Sequence, residues 1–148
     1  LYDAMMLRAK KQDIITQAAA PADFTPLSVS DEKIKKQGRD TLQLSLMSTP
    51  DVAKAVGEEK QPGQILIGFA AETENLLDNA RAKLAKKNLD MIVLNDVTQP
   101  GAGFGVDTNI VTFVTQTTLE ALPKMSKAEV ADRLLSRALL LKEPHLKA

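Results

Sequence analysis

Apolar positions fall along this chain in alternating rhythms. Leu1–Lys11 (LYDAMMLRAKK) repeats at helical spacing, with Ala4, Met5 and Ala9 among the candidates for burial. Asp13–Ala20 (DIITQAAA) is a short apolar run, long enough for a central strand and stopped by Pro21. Phe24–Asp40 carries Pro26, two serines, a cluster of basic residues and Gly38, and reads as a long mobile connection, with 25–40 a flexible lid. Thr41–Met47 alternates strictly, placing Leu42, Leu44 and Leu46 on one face of a half-exposed strand. At 48–51 Thr49 suits a helix cap, Pro50 its first position and Asp51 the positive end of its dipole, so a helix is expected to run to about Lys60 and stop at Pro62-Gly63.

Gln64–Ala71 is a continuous apolar run, including Leu66 and Phe69, as expected of a strand covered on both faces. A helix beginning at Thr73 or Glu74 should end near Asn88. Asp90–Leu94 is a further strand, with Asn95-Asp96 at its end and a Gly/Pro-rich loop, TQPGAGFGVD, behind it. Asn109–Thr115 alternates and can pair with Thr118–Met125 as a hairpin. Ser126 and Glu129 form a capping box opening a helix over Lys127–Leu141, and the tail past Pro144 is expected to fray. Strands that alternate with helices predict an α/β chain: three layers around a mostly parallel, Rossmann-like sheet, extended by a β-hairpin. Ligands of such sheets bind beyond the carboxyl ends of the strands, which points to Ala18–Asp23, Phe69–Glu72 and Asn95–Val97.

Composition removes several kinds of chemistry. The 148 residues suit one domain. Basic and acidic residues balance at 19 each, which argues against sequence-independent nucleic-acid binding. Aromatic residues at 3% are too few for base-stacking platforms. There is no cysteine, so disulfides and thiolate catalysis are excluded, and a cytoplasmic location is expected. No apolar run approaches the roughly 18 residues of a membrane span. Leu1 opens directly into the first helical pattern, with neither Met nor cap before it, so the chain is expected to be an amino-terminally truncated fragment. The one histidine, His145, lies in the tail, so Ser-His and Cys-His pairs are unavailable. An enzyme built from this chain would work by binding and charge neutralisation, with a substrate bringing the nucleophile. Lys83 and Lys87 share a helix face, either as solvated cations favoured by the helix dipole or as a grip for phosphate. Lys33, Lys35 and Lys36 are either solvated loop charges or a lid that closes on anions. Asp23 suits a turn cap or a contact to a ribose hydroxyl or metal. GAGFG at 101–105 matches neither GxGxxG nor a P-loop.

Taken in order, AAAPADF (18–24), EKIKK (32–36), TPDV (49–52), GFAAETEN (68–75), KLAKKNLDMIVLNDV (83–97) and GFGVDTN (103–109) resemble the carboxyl-terminal part of bacterial phosphopantothenate–cysteine ligase. The resemblance covers Leu1 to about Leu141. It implies a CTP-dependent, Mg²⁺-assisted ligation of cysteine to 4'-phosphopantothenate through an acyl-cytidylate, in a homodimer or higher homo-oligomer. It further implies that Ala18, Ala19, Asp23, Thr49, Pro50, Asp51, Val52, Phe69, Lys83 and Lys87 contact the nucleotide. Lys33 would be the lid lysine associated with phosphates and activation, and no protein ligand of a metal is implied. The family's amino-terminal glycine-rich segment, an asparagine acting on the acyl intermediate and the FMN-dependent decarboxylase half fall outside this sequence. Pro21 stands where many relatives have an aliphatic residue, and it removes an N–H. The competing expectation is a non-catalytic nucleotide-binding or dimerisation module, with Thr41–Met47 and Asn109–Thr115 pairing across a symmetry axis.

Overall fold

A computed structural model describes residues 1–36, 38, 40–72, 76–99, 101–102 and 105–146, with the side chains of Glu72, Leu76, Asp96 and 144–146 not included. Expectations for Thr73, Glu74, the middle of the GAGFG loop and the His145 side chain lie outside the described residues.

The central sheet has the order β1 (Ile14–Gln17), β4 (Ile65–Glu72), β5 (Met91–Asp96), β7 (Val111–Val114), β8 (Leu119–Ala121). The first three strands are parallel and the last two antiparallel, so the expected hairpin at 109–125 closes one side of the parallel core. On one face pack α1 (Tyr2–Ala9), α2 (Val52–Glu58) and α3 (Leu76–Lys86), through Ala9, Val52, Val56, Ala80 and Leu84 onto Leu66, Ile92 and Leu94. On the other face lies α4 (Lys127–Leu146), whose Val130, Leu134 and Ala138 meet Ile67, Met91, Val93 and Phe113. This is the three-layer α/β arrangement that the alternation predicts. Residues of β4 and β5 alternate between the two cores, and both cores are apolar, so these strands read as unbroken hydrophobic runs.

The capping box is present: Ser126 N–H and Oγ–H donate to Glu129 Oε2 at 2.8 and 2.7 Å, and Glu129 N–H donates to Ser126 Oγ at 3.2 Å. Other local expectations are corrected. Asp51, not Thr49, caps α2, accepting from Lys54 N–H at 3.1 Å, and Pro50 precedes the cap. That helix ends at Glu58 rather than Lys60. Thr49 instead donates its hydroxyl to Ala22 C=O. Ala4 is exposed, while Met5 and Met6 pack against the core. α4 continues through Pro144 to Leu146 rather than fraying there.

The expected strand at 41–47 is mostly absent. Only β3 (Leu46–Ser48) forms, paired antiparallel with β2 (Phe24–Pro26) as a two-stranded ribbon apart from the main sheet. Leu42, Leu44 and Leu46 are all exposed, and among the described residues no layer covers them. The described residues between the two strands form neither helix nor strand, in keeping with a long connection. A second small ribbon, β6 (Thr108–Asn109) with β9 (Met125–Ser126), leads into α4.

Candidate functional site

A cleft of about 310 Å³ opens at the carboxyl ends of β1 and β4. Its first wall is the Ala18–Pro21 segment and Asp23, where β1 ends. Gln17, buried at the last strand position, donates Nε2–H to Ala19 C=O at 3.1 Å and ties the segment to the strand end. Small side chains there leave the backbone open to a ligand. The second wall is Thr49–Ala53. Thr49 N–H donates to Asp23 C=O at 2.9 Å, so the two walls are stitched to each other. The floor is made by Gly68, Leu89 and Ile92. A Cβ at Gly68 would stand 2.8 Å from Leu89 Cδ1, so the missing side chain is what lets Leu89 close the floor. Phe69 stands at the rim, 44% exposed, contrary to the expectation that this strand is covered throughout.

The third wall is α3 and the residue just past its end, bringing Lys83 and Lys87 to the cleft. Lys87 Nζ lies 3.1 Å from Asp51 Oδ1 and 3.0 Å from Oδ2, with the side chains 25% and 40% exposed. Lys87 is therefore not a purely solvated cation. Burial pushes the Asp51 carboxyl up, but the Lys54 N–H and the Lys87 ammonium outweigh it and hold the group below its usual range.

The position of Lys87 depends on a close approach of α2 to the end of α3. A Cβ at Gly57 would stand 1.9 Å from Lys87 O, so only glycine fits. Asn88 next turns through φ 50°, and its Nδ2–H donates to Gly57 C=O at 2.8 Å. Lys60 Nζ then bridges Asn88 C=O at 2.8 Å and both oxygens of Asp90 at 2.9 and 3.0 Å. Asp90 Oδ2 also accepts Leu66 N–H at 2.7 Å, tying this knot to β4.

The fold thus brings to one cleft all the residues that the resemblance nominates for nucleotide contact, Lys33 apart. Lys33 lies in the arm formed by the connection between β2 and β3, in a separate open depression of about 520 Å³ with Lys35, Lys36, Glu32, Asp40 and Leu42. Asn95 and the described part of the glycine loop do not line the cleft, and Asn95 Oδ1 is buried without a hydrogen-bond partner. Sequence reasoning missed Gln17, Ala53, Gly68, Leu89 and Ile92 as lining residues. A polar glutamine inside DIITQAAA was the available signal for the first; the others carry no chemistry of their own. Among the described residues no three His, Cys, Asp or Glu side chains converge to hold a metal. No described helix is long and apolar enough to cross a membrane. Chemically, the cleft offers ammonium groups, carboxylates and bare backbone beside one aromatic ring. Such a set is chemically suited to a polyanion, and it presents no histidine or thiol nucleophile among its lining residues.

Residues 1–141 match the family described as "DNA/pantothenate metabolism flavoprotein C-terminal domain". The bifunctional coenzyme A biosynthesis protein CoaBC of Bacillus subtilis is 50% identical over 136 residues, 91% of this chain and 31% of that protein. A protein named cysteine/cysteine sulfinic acid decarboxylase, from an unknown prokaryotic organism, is 45% identical over 142 residues, 95% of this chain and 39% of the relative. The crystal structure of the C-terminal domain of a CoaBC superposes with a TM-score of 0.75 at 36% identity, covering 97% of this chain and 63% of that one. The chain thus spans about a third of the length of these full-length relatives.

Proposed function

This chain belongs to the family of DNA/pantothenate metabolism flavoprotein C-terminal domains, and from that premise we propose that it is the nucleotide-binding part of a phosphopantothenate–cysteine ligase in coenzyme A biosynthesis. The observation that carries the reading is the convergence on one cleft of Ala18–Asp23, Thr49–Val52, Phe69 and the pair Lys83 and Lys87, from four separated stretches of chain. The relative named for decarboxylation shares the same stretch, so the ligase reading rests on this cleft together with the coenzyme A relatives.

In this reading CTP lies in the cleft. Its phosphates meet Lys83 and Lys87, a ribose hydroxyl meets Asp23, and the backbone of Ala18 and Ala19 lies along the nucleotide. Phe69 stands at the rim as an apolar surface for the base. The carboxylate of 4'-phosphopantothenate attacks the α-phosphorus, and the bond to pyrophosphate breaks. The amine of cysteine then attacks the acyl carbon of the acyl-cytidylate, and CMP leaves as the amide forms and the nitrogen gives up a proton. Both nucleophiles belong to substrates, which accords with a cleft lined by no histidine or thiol. The lysines offset the charge that builds on the phosphates. Mg²⁺ fits as a companion of the triphosphate, with Asp23 and Asp51 the nearest candidates to hold it, since this ion commonly binds through phosphates and one or two carboxylates and would neutralise charge there.

Lys33 contributes in this reading only when its arm folds toward the cleft. The same arm supports a homodimer. Phe24 and Leu46 on the two-stranded ribbon, and Leu27, Val29, Leu42 and Leu44 in the connection between its strands, are each more than half exposed, and such a ribbon is marginal alone. A second copy would cover it. The deciding experiment mixes the full-length protein with CTP, Mg²⁺, 4'-phosphopantothenate and cysteine. CMP and pyrophosphate should form in step with the amide. Binding of CTP without either product would overturn the ligase and leave a nucleotide-binding module.

A further inference from the structure

The ion pair between Asp51 and Lys87 poses a problem for any phosphate that enters the cleft. Both oxygens of Asp51 lie within 3.0–3.1 Å of Lys87 Nζ, and Oδ1 also accepts Lys54 N–H at 3.1 Å. The carboxylate is therefore fixed by the helix it caps, while the lysine is the movable partner. A phosphate reaching for Lys87 must share one ammonium with a carboxylate held a few ångströms away. Like charges that close repel each other, and the repulsion grows with each unit of charge on the phosphate. A divalent cation or a hydroxyl donor placed between phosphate and carboxylate reverses that sign, because Asp51 then becomes a ligand or an acceptor. At 40% exposure the carboxylate is open to such a partner.

We infer that Asp51 is the residue that makes this cleft discriminate against bare polyphosphate and favour phosphates that arrive with a cation or with sugar hydroxyls. It holds Lys87 neutralised while the cleft is empty and gives the ammonium up only to a ligand that also satisfies the carboxylate. This rests on the reading of the cleft as a nucleoside triphosphate site. It goes further by assigning to one side chain the rejection of pyrophosphate-like anions, among them the leaving group of the proposed reaction.

Asp51→Asn tests it, because asparagine caps helices as well as aspartate does and removes only the charge. Thermal unfolding at neutral pH checks that the variant is folded. The full-length protein is titrated calorimetrically with inorganic tripolyphosphate, without and with Mg²⁺, and with CTP plus Mg²⁺. Asp51→Asn should bind metal-free tripolyphosphate about tenfold more tightly than the parent, the order expected for deleting one nearby like charge. The advantage that Mg²⁺ confers on the parent should shrink in the variant. An unchanged or weaker affinity for metal-free tripolyphosphate overturns the inference and leaves Asp51 a structural cap. Lys83→Ala separates the two claims. If CTP with Mg²⁺ binds the parent and is lost in Lys83→Ala while Asp51→Asn changes nothing, the inference alone falls. If tripolyphosphate tightens in Asp51→Asn but CTP never binds the parent, the nucleotide reading falls. If neither ligand binds any form, both fall.

Discussion

Replacing Gly57 by alanine sets two effects of opposite sign against each other. Inside a helix alanine is favoured over glycine by about 1 kcal/mol, so propensity alone predicts a more stable protein. The added Cβ, however, would stand 1.9 Å from Lys87 O, 2.9 Å from Lys87 C and 3.3 Å from Asn88 Cβ. The first two are backbone atoms and cannot rotate aside. Relief requires α2 to move off the end of α3 by roughly 1 Å or more, which is overpacking of a kind that costs ~1–3 kcal/mol. That movement also strains the 2.8 Å bond from Asn88 Nδ2–H to Gly57 C=O, a bond contributing about 1 kcal/mol. The sum is about 2–4 kcal/mol lost against about 1 gained, so Gly57→Ala should destabilise by about 1–3 kcal/mol. Urea unfolding measures this directly. The same displacement pulls Lys87 from Asp51, so nucleotide affinity should fall in the fraction that remains folded. A Gly57→Ala protein as stable as the parent, or more so, would refute the close approach and with it the account of how Lys87 is aimed.

Three further outcomes follow from the same geometry. Lys83→Ala and Lys87→Ala should each weaken CTP binding by the ~1.5–3 kcal/mol of a charge-assisted hydrogen bond, read by calorimetry, whereas loss of an exposed lysine such as Lys11 should change little. Asp51 has a folded-state pKa below its ordinary 3.8: burial raises it, and the Lys54 N–H and Lys87 outweigh that. The unfolded chain therefore takes the proton first, so the stability it contributes is present above about pH 3.8 and lost as pH falls through the lower folded value. The stability difference between the parent and Asp51→Asn should shrink over that acid range in denaturant titrations. Lys60→Met leaves Asp90 with its Leu66 N–H but without an ammonium, and should cost ~1–3 kcal/mol in the same assay.

The linear order of apolar runs was enough to specify much of this protein. A strand buried on both faces must be almost wholly apolar, and Ile65–Ile67 and Met91–Leu94 are. A capping box is a contact between residues three apart, so Ser126 and Glu129 were legible as the start of α4. Helical spacing and the strand-end rule singled out the lysines and the residues after β1, and motif resemblance favoured a binding role over a solvated one. What no linear pattern holds is distance between segments remote in sequence. Gly57 reads as a weak spot in a helix until Lys87 O is seen against it. Lys60 reads as a solvated charge until it is found binding Asn88 and Asp90, some thirty residues on. Alternation at 41–47 predicted a half-exposed strand, yet burial of its other face needs a second layer, and the described residues supply none there. Lys83 and Lys87 could be either solvated or cleft-lining on periodicity alone, because a helix face becomes an inside or an outside only when another element packs beside it. The start of α2, capped by Asp51 and stitched to the end of β1 through Thr49, is the element that makes it an inside.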